Sequence, residues 1–410
     1  MKKRANRRSE ADEALCCCEY INRQGERSHV AACCCDCEDL DEACDRWMKL
    51  EPQTQDSLDR LSAVISDRVR VPWPWGGARR LELSIIPPLI LLPVLLRLAA
   101  LHFLLGLAVL TALPVLVLWY YYVTHRKKGR TLFFLSLALF SLAYMYFLFV
   151  SEVLPRGDVT TTQLAVVTAG VALTVVAMLH TKREPGAVRR ASPVHSTVTY
   201  GAPRYNMDPA FQGGGAGGRQ EVLVGEEEKA QQKEEESVRK NWCPTCRLAR
   251  PPRAGHCQIC GVCVQRLDHH CVWINSCVGQ GNHRSFLLTL LLFLLTSLYG
   301  IGLVLRSVCP RQNRLVALFY CPGVYSQYSD ALCFTCAWYC SMVTAGLLHL
   351  LLVQVVNVSY NVTEREARIA VREKTSVDTA VYSRGFRDNW AEFMTMGDRL
   401  NAPLPAPDLV

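Results

Sequence analysis

The stretch CPTCRLARPPRAGHCQICGVCVQRLDHHCVWINSC, residues 243–277, carries the clearest pattern in the sequence. It contains the spacing C-x2-C-x9-H-x6-C, which recurs fourteen residues further along, so that two sets of four residues interleave. The first set is Cys243, Cys246, His256 and Cys263, and the second is Cys257, Cys260, His270 and Cys277. Recurrence of four residues at one fixed offset is improbable by chance, so the pattern indicates two sites of the same kind.

Each set offers three thiols and one imidazole, a closed Cys3His arrangement that suits structural zinc. Residues 241–285 contain few long apolar runs, so a segment of this kind needs metal to hold a fold. Disulfides are the weaker alternative in a reducing cytosol, and scattered buried cysteines would leave the repeat unexplained. We therefore predict two structural zinc ions.

The repeat leaves Asp268, His269 and Cys271 without a metal role. Cys271 lies fourteen residues after Cys257, but Ile274 stands where a second cysteine would be needed. A thiolate is a strong nucleophile, a neighbouring imidazole can generate it, and a carboxylate can orient that imidazole. The alternative is a zinc ribbon with spare polar residues, and these residues alone leave both hypotheses open.

Outside this stretch, the apolar residues are concentrated in long runs, which indicates a membrane protein. The run at 83–123 would be about 60 Å long as one helix, twice a hydrocarbon core of about 30 Å. We predict that it forms two spans that turn back near 97–102. Four further spans are predicted at 131–150, 163–180, 286–308 and 331–356. The predicted fold class is thus an all-α polytopic membrane protein of six transmembrane helices, with a small cytosolic zinc-braced cysteine-rich domain.

Lys and Arg flank the spans at 125–130 and 181–190, and such residues favour the cytosolic side. Six spans then place both termini and the long loop 181–285 in the cytosol. Cys309 and Cys321 fall in a short loop on the opposite side, where they could pair. No apolar run follows the N-terminus, so no cleavable signal peptide is expected.

The predicted organisation has six parts. These are a cysteine-rich cytosolic segment at 1–82, transmembrane helices 1–4 at 83–180, a flexible charged linker at 181–240, the cysteine-rich domain at 241–285, transmembrane helices 5–6 at 286–356, and a cytosolic tail at 357–410. Because only about nine residues separate Cys277 from the next span, Cys271 is expected at the cytosolic membrane face. That position favours a nucleophile that meets lipid-like substrates.

Residues 243–286 resemble the cysteine-rich domain of the DHHC-type protein S-acyltransferases, also called palmitoyltransferases. The resemblance rests on CPTC, on RPPRAGHC at 250–257, on DHHCVWINSCVG, and on Gly279, Asn282 and Phe286. It covers about a tenth of the chain, and its signature is highly specific.

The resemblance implies a two-step reaction. Cys271 takes a long-chain acyl group from acyl-CoA, usually palmitoyl-CoA, and passes it to a cysteine of a membrane-associated protein. It implies His269 as general base and Asp268 as its orienting partner, with the acyl chain between transmembrane helices. The candidate contacts for CoA phosphates are Arg247, Arg250, Arg253 and Arg266, which could equally meet anionic lipid. The competing hypothesis is a catalytically silent zinc-braced membrane adaptor, and no nucleic-acid partner is expected.

The chain departs from the family pattern at two positions. Val272 replaces the proline that commonly follows the family's catalytic cysteine. After the last span, the usual Thr-Thr-x-Glu reads Thr363-Glu364-Arg365-Glu366, which puts the packing of that element in doubt. A second family pattern, with a structural role, is matched by Tyr382, Gly385, Asn389 and Phe393.

Other signals are weaker. The cysteines at 16–18, 33–35, 37 and 44 are candidates for acylation, those at 33–44 are alternatively candidates for metal binding, and a third alternative gives these thiols no role. The terminal residues Asp408, Leu409 and Val410 fit a PDZ-domain ligand. Cys333, Cys336 and Cys340 recur at helical spacing and are expected to pack inside a span. The expected location is an endomembrane of the ER or Golgi, or the plasma membrane.

Overall fold

The computed structural model describes residues 82–126, 131–188, 241–373 and 382–396, together with short pieces between 19 and 80. The chain forms two compact units, Met1–Val94 and Leu95–Val410. The described pieces before residue 82 include two antiparallel hairpins and a helix: β1 (Glu19–Ile21) with β2 (Arg27–His29), α1 (Glu38–Met48), and β3 (Arg70–Val71) with β4 (Arg79–Arg80). Cys44 is exposed on α1, whereas the other N-terminal cysteines lie outside the described residues.

The apolar runs form helices. They are α2 (Ile86–Ala99), α3 (Phe103–Arg126), α4 (Phe133–Leu148), α5 (Thr161–Arg183), α6 (His283–Val308), the short α7 (Arg314–Phe319) and α8 (Tyr328–Ser359). A π-helical turn, Phe149–Val153, and a 3-10 turn, Leu154–Arg156, extend α4. The long run at 83–123 breaks between Ala99 and Phe103, within the predicted turn.

Five of these helices are long and apolar enough to cross a membrane, which agrees with the predicted class of helical membrane protein. The predicted first span is instead the shorter apolar helix Leu83–Ala99. A span needs about 20 residues. The count of six spans therefore stays a prediction.

Helix α6 packs against both α5 and α8. Hydroxyl pairs join these helices: Thr181 with Thr289 at 3.2 Å, and Ser297 with Thr344 at 2.6 Å. Small polar side chains commonly link helices in this way where no water is present. The three helices form the frame on which the cysteine-rich region is held.

The cysteine-rich region consists of three short antiparallel hairpins. They pair β5 (Trp242–Cys243) with β6 (Leu248–Ala249), β7 (Gly255–Cys257) with β8 (Val262–Val264), and β9 (His269–Cys271) with β10 (Ser276–Val278). Each hairpin turn contains one residue of positive φ: Arg247 at 52°, Gly261 at 70° and Asn275 at 48°. These positions are fourteen residues apart, so the backbone repeats three times where the metal-ligand pattern repeats twice.

The first residues of the predicted linker belong with the hairpins. Backbone hydrogen bonds join Val188 to Cys263 at 2.8 Å and Gln265 to Gly186 at 2.9 Å. The approach is close enough that a Cβ on Gly281 would lie 2.4 Å from the carbonyl oxygen of Glu184. Glycine is required at that position for steric reasons.

After α8 the tail forms α9 (Glu364–Glu373) and α10 (Phe386–Thr395). Helix α10 packs on α8, with Phe393, Val358 and Met396 buried together. The tail thereby returns to the same end of the helices that carries the hairpins. Residues 374–381 and 397–410, including Asp408, Leu409 and Val410, lie outside the described part of the chain.

Candidate active site

The two predicted sets of zinc ligands each come together in space. In each set the four ligand atoms lie within 4.8 Å of one another. Hairpin β5–β6 and hairpin β7–β8 share the first set, and hairpin β7–β8 and hairpin β9–β10 share the second. A metal at each site would therefore join neighbouring hairpins.

The spacing of the donor atoms fits a tetrahedral zinc ion. Bond lengths of about 2.3 Å to sulfur and 2.0–2.1 Å to nitrogen give tetrahedron edges of roughly 3.6–3.8 Å. His270 Nδ1 lies 3.6, 3.4 and 3.8 Å from the Sγ atoms of Cys257, Cys260 and Cys277. In the first set, His256 Nδ1 lies 3.3 Å from Cys246 Sγ and 3.8 Å from Cys263 Sγ.

Thiols packed this closely cannot all ionise without a cation. Burial and the neighbouring Cys243 and Cys246 raise the pKa of Cys263 to about 12. A bound divalent cation reverses this effect, because it stabilises thiolates directly. The donor set and its geometry therefore both fit a metal.

Cys271 begins the turn of the third hairpin, at the position that Cys243 and Cys257 hold in the first two. It is 5% exposed and packs with Ile274, Val278, Phe286 and Leu290. Further apolar side chains from α5, α6 and α8 cover this cluster: Met178, Leu287, Leu347, Leu350 and Leu351. The thiol thus faces apolar groups of the helices rather than a metal site.

His269 lies between Asp268 and Cys271. Its Nδ1 is 2.7 Å from Asp268 Oδ2, and its ring meets Phe286 edge-on with centroids 5.5 Å apart. Burial alone would lower the pKa of His269, but its hydrogen bonds with Asp268 and Cys271 outweigh burial and raise that pKa to about 10. Because Nδ1 faces the carboxylate, Nε2 is the nitrogen left for the thiol.

Asp268 is 1% exposed, and three donors from different parts of the described chain converge on its carboxylate. Besides His269, Gln354 Nε2 on α8 donates to Oδ2 at 3.1 Å, and the backbone N–H of Glu364 donates to Oδ1 at 2.9 Å. Burial raises the pKa of this carboxyl group, but the hydrogen bonds and the nearby histidines hold it well below its usual range. Asp268 is therefore a fixed anion.

The altered Thr363–Glu366 element packs against the hairpins, which answers the doubt raised by the sequence. Thr363 Oγ1 accepts from the backbone N–H of Glu366 at 3.2 Å, and the Glu366 carboxylate accepts from the backbone N–H of Thr363 at 2.8 Å. This is a capping box at the start of α9. The substituted residue, Glu364, reaches Asp268 through its backbone, and its side chain pairs with Arg368 instead.

Glu366 also forms a two-point ion pair with Arg253, at 2.8 and 2.7 Å. Arg253 donates further to Asn361, whose Oδ1 accepts from Arg266 as well, at 2.6 Å. The ring of Tyr382 lies 4.3 Å from the Arg253 guanidinium. Both arginines are thus enclosed by the tail and joined to it through Asn361.

The four arginines predicted to contact CoA phosphates therefore lie in different surroundings. Arg253 and Arg266 are taken up by internal contacts, and burial lowers the pKa of Arg266 to about 10. Arg247 is exposed, and Arg250 is partly exposed, with Nε donating to the carbonyl of Asn241 at 3.1 Å. Of the four, Arg247 and Arg250 are placed to meet a ligand in solvent.

The remaining residues of the family patterns have clear contacts. Asn282 Nδ2 donates to the carbonyls of Thr181 and Cys277, at 2.6 and 2.8 Å, and so ties α5 to the hairpins. Asn389 Nδ2 donates to the carbonyl of Ser359 at 2.8 Å, and Phe393 is 1% exposed. These residues hold α6 and α10 in place.

Sequence reasoning missed Gln354 and Asn361. Gln354 is an uncharged polar residue inside an apolar helix, where such residues usually have a specific partner. Asn361 reads as a glycosylation sequon, but it is 2% exposed and has a positive φ of 53°. Of the two, Gln354 carried a usable signal in its sequence position.

Comparisons with known proteins agree with this geometry. A family model described as DHHC palmitoyltransferase matches residues 236–370. The chain is 64% identical over 411 residues to palmitoyltransferase ZDHHC23-B of Danio rerio, covering 97% of this chain and 96% of that protein. It is 49% identical to palmitoyltransferase ZDHHC23 of Rattus norvegicus, covering 97% of both chains. The human protein of that name is 49% identical, over 88% of this chain and 91% of its own.

Proposed function

The chain belongs to the DHHC palmitoyltransferase family and is a protein S-palmitoyltransferase, and from this premise we propose that Cys271 is the residue that carries the acyl group. The observation that supports this proposal is the Asp268–His269 pair beside a cysteine excluded from both metal sets. Asp268 fixes the tautomer of His269 and His269 serves as general base. A catalytically silent adaptor would not require this arrangement.

In the first step, His269 Nε2 holds the proton taken from Cys271, a state that the raised pKa of His269 favours, and the Cys271 thiolate attacks the thioester carbonyl of palmitoyl-CoA. The bond from Cys271 sulfur to the acyl carbon forms, the bond from that carbon to CoA sulfur breaks, and CoA leaves with the proton from His269. In the second step, a cysteine thiol of the protein substrate gives its proton to His269 and takes the acyl group. Cys271 leaves as a thiolate and is protonated again.

We assign one structural zinc ion to each ligand set. With four protein ligands at each site, no position remains for water, and zinc supplies folding energy to a region with little apolar core. The acyl chain lies in the apolar surroundings of Cys271, between α5, α6 and α8. Arg247 and Arg250 are the proposed contacts for CoA phosphates.

We further propose that the catalytic domain and both termini face the cytosol, in an endomembrane or the plasma membrane, with the domain limits given by the sequence. The disulfide between Cys309 and Cys321 supports this orientation. Disulfides persist in a lumenal or extracellular compartment, whereas metal-binding thiols need reducing surroundings.

The tail residues Asp408, Leu409 and Val410 are proposed as a PDZ ligand. Deletion of all three should abolish PDZ binding and leave acylation intact.

The acyl-enzyme is tested with purified protein and labelled palmitoyl-CoA. The wild type should acquire a hydroxylamine-labile label, and Cys271→Ser should lose it. Cys44→Ser, which removes an exposed thiol on α1, is the matched control and should retain the label. Label that persists in Cys271→Ser, or a wild type without label, would contradict the assignment.

Metal content tests the zinc assignment. Elemental analysis should give two zinc ions per chain, and Cys277→Ala should lower that number while Cys44→Ser does not. A wild-type stoichiometry of one would refute the interleaved sets.

A further inference from the structure

Gln354 lies within the apolar helix α8, and its side chain is 1% exposed. An amide in such surroundings is unfavourable unless both its N–H and its C=O have partners. Both do: Nε2 donates to Asp268 Oδ2 at 3.1 Å, and Oε1 lies 2.7 Å from Nε2 of His283. Gln354 therefore connects the first residue of α6 to the carboxylate beside His269.

The direction of both hydrogen bonds of Gln354 follows from which of its partners can donate. An ionised Asp268 only accepts hydrogen bonds, so the amide nitrogen of Gln354 faces it and the amide oxygen faces His283. His283 Nε2 must then carry hydrogen and donate. His283 Nδ1 has no hydrogen-bond partner among the described residues, which matches a neutral ring with its single hydrogen on Nε2.

His283 is itself held firmly. It is 2% exposed, and its ring meets that of Phe393 on α10 edge-on, with centroids 5.1 Å apart. The hydrogen-bonded series His283–Gln354–Asp268–His269 thus links α6, α8 and the third hairpin. Helix α10 packs against its His283 end through Phe393.

Gln354 also continues a stripe of side chains that packs around the nucleophile. Leu347, Leu350, Leu351 and Gln354 follow the spacing i, i+3, i+4 and i+7, which puts them on one face of α8. The three leucines cover the apolar cluster that contains Cys271. One helix face therefore contacts both the surroundings of the thiol and the carboxylate that orients its base.

We propose that Gln354, oriented by His283, is a positioning residue of acyl transfer that holds the Asp268 carboxylate in line with His269 and fixes it to the helix beside the acyl chain. The inference rests on the proposed roles of Asp268, His269 and Cys271. Removal of the Gln354 amide leaves Asp268 with one fewer donor and freer to turn away from His269.

The test measures the rate of Cys271 acylation against palmitoyl-CoA concentration. Gln354→Met keeps the shape of the side chain and removes both polar contacts. We expect the maximal rate to fall about tenfold, the effect of losing one hydrogen bond to an ionised group, with KM for palmitoyl-CoA unchanged. Gln354→Asn, whose amide is one methylene shorter and cannot reach both partners, should also slow the reaction and serves as the second variant.

Thr344→Val is the matched control. It removes a part-buried hydrogen bond between α6 and α8, the one with Ser297, at a buried position of α8 away from Asp268. It should leave the rate unchanged. An equal loss of rate in Thr344→Val would show that Gln354 acts only by joining helices and would overturn the proposal.

A double-mutant cycle separates positioning from general stability. In an Asp268→Asn background, Gln354→Met should change the remaining rate less than about twofold, because the group that it positions is already neutral. A full tenfold fall in that background, or no fall in the wild-type background, overturns the inference. If Asp268→Asn alone has no effect, the proposed role of Asp268 fails first, and the inference fails with it.

Discussion

Cys271 occupies the place in its hairpin where Cys243 and Cys257 are proposed to bind metal in theirs, but the residue three positions later is not a cysteine. Cys246 and Cys260 stand at that later position in the first two hairpins, and Ile274 stands there in the third. The turn is otherwise the same, with positive φ at the following residue. Arg284 and Leu291 likewise stand where the pattern would need its histidine and last cysteine, so Cys271 lacks all three partners of a metal set.

Ile274→Cys should give the third hairpin a pair of thiols at metal-knuckle spacing. Because the backbone of this turn repeats that of the metal-binding turns, the introduced thiol will lie close to Cys271. We expect acylation of Cys271 to become sensitive to mild oxidants, with a disulfide between Cys271 and the introduced thiol detectable by mass spectrometry and reversed by reductant. Ile274→Ser is the control for the lost apolar contact, and inhibition by oxidant to the same degree in Ile274→Ser would contradict the prediction.

The ion pair of Arg253 and Glu366 should make stability depend on pH. Burial raises the pKa of Glu366, but the hydrogen bonds from Arg253 and Thr363 outweigh it and the net pKa is lowered. A carboxylate with a lowered folded-state pKa stabilises the fold above its unfolded pKa of about 4.3, and this contribution is lost as pH falls through the folded pKa.

We therefore expect Glu366→Gln to lower the melting temperature at pH 7, and the difference from wild type to shrink below about pH 4.3. Thermal unfolding of both proteins from pH 7 to below about pH 4.3 measures this difference in melting temperature. Protonation of the zinc ligands in acid affects both proteins equally and so does not change the difference. A difference that stays constant with pH would rule out the ionised pair as its source.

At the scale of elements, α9 places its first turn against the hairpins. Thr363 is the N-cap, so Glu364 is the first helical residue, where the backbone N–H has no partner inside the helix. That N–H donates to Asp268. The start of one helix thereby supplies a donor to the Asp268 carboxylate, whatever non-proline side chain stands at position 364.

Glu364→Pro should remove this donor with little harm to the helix, since proline is favoured at the first helical position. We expect acylation of Cys271 to slow about tenfold, from loss of a hydrogen bond to an ionised group. Glu364→Thr, which restores the usual family sequence and keeps the N–H, should act like wild type. The labelled-palmitate assay compares the three, and a slow Glu364→Thr variant would show that the side chain matters.

At the scale of the whole molecule, cysteines of different chemistry flank the two ends of α6. Its 26 residues reach about 39 Å, enough to cross a hydrocarbon core. The hairpins, whose cysteines form no disulfide in the described part of the chain, precede its first residue, and Cys309, directly after its last, forms a disulfide with Cys321. An ion pair of Arg156 and Asp330 and a hydrogen bond from Ser329 to Glu152 at 2.6 Å lie on that second side.

The proposed orientation predicts that Cys44 is accessible from the cytosolic side of the membrane, and that Cys309 and Cys321 lie on the opposite side. In sealed vesicles with the cytosolic face outward, an impermeant maleimide should reach Cys44 at once. Cys309 and Cys321 should react only after reduction and permeabilisation, because they are oxidised and enclosed. Peptide mapping by mass spectrometry measures the maleimide labelling of each cysteine. Labelling of Cys309 in sealed vesicles after reduction by an impermeant reductant would contradict the proposed orientation.

The local pattern of the sequence was enough to predict which residues form the two Cys3His clusters, and that Asp268, His269 and Cys271 stand outside them. The spacing of ligands within a short metal-bound segment leaves few ways to surround two ions, so the pattern predicts which residues meet. Helices of the membrane part were equally accessible, because a long apolar run has no other stable conformation in lipid. The number of spans was harder to predict, because the apolar helix Leu83–Ala99 has a marginal length for crossing a membrane.

Tertiary structure alone decided what surrounds Asp268, His269 and Cys271. Gln354 lies 86 residues and Glu364 lies 96 residues from Asp268 along the chain, and no local pattern links such positions. Arg253 and Arg266 are a second example. Their charge alone suggests contacts with phosphate, but in the fold they bind Glu366 and Asn361 of the tail. Sequence determined which groups are the candidates for the chemistry, since their types and spacing are local. The fold decided how they are held, since a buried charge takes its partners from whichever elements packing brings beside it.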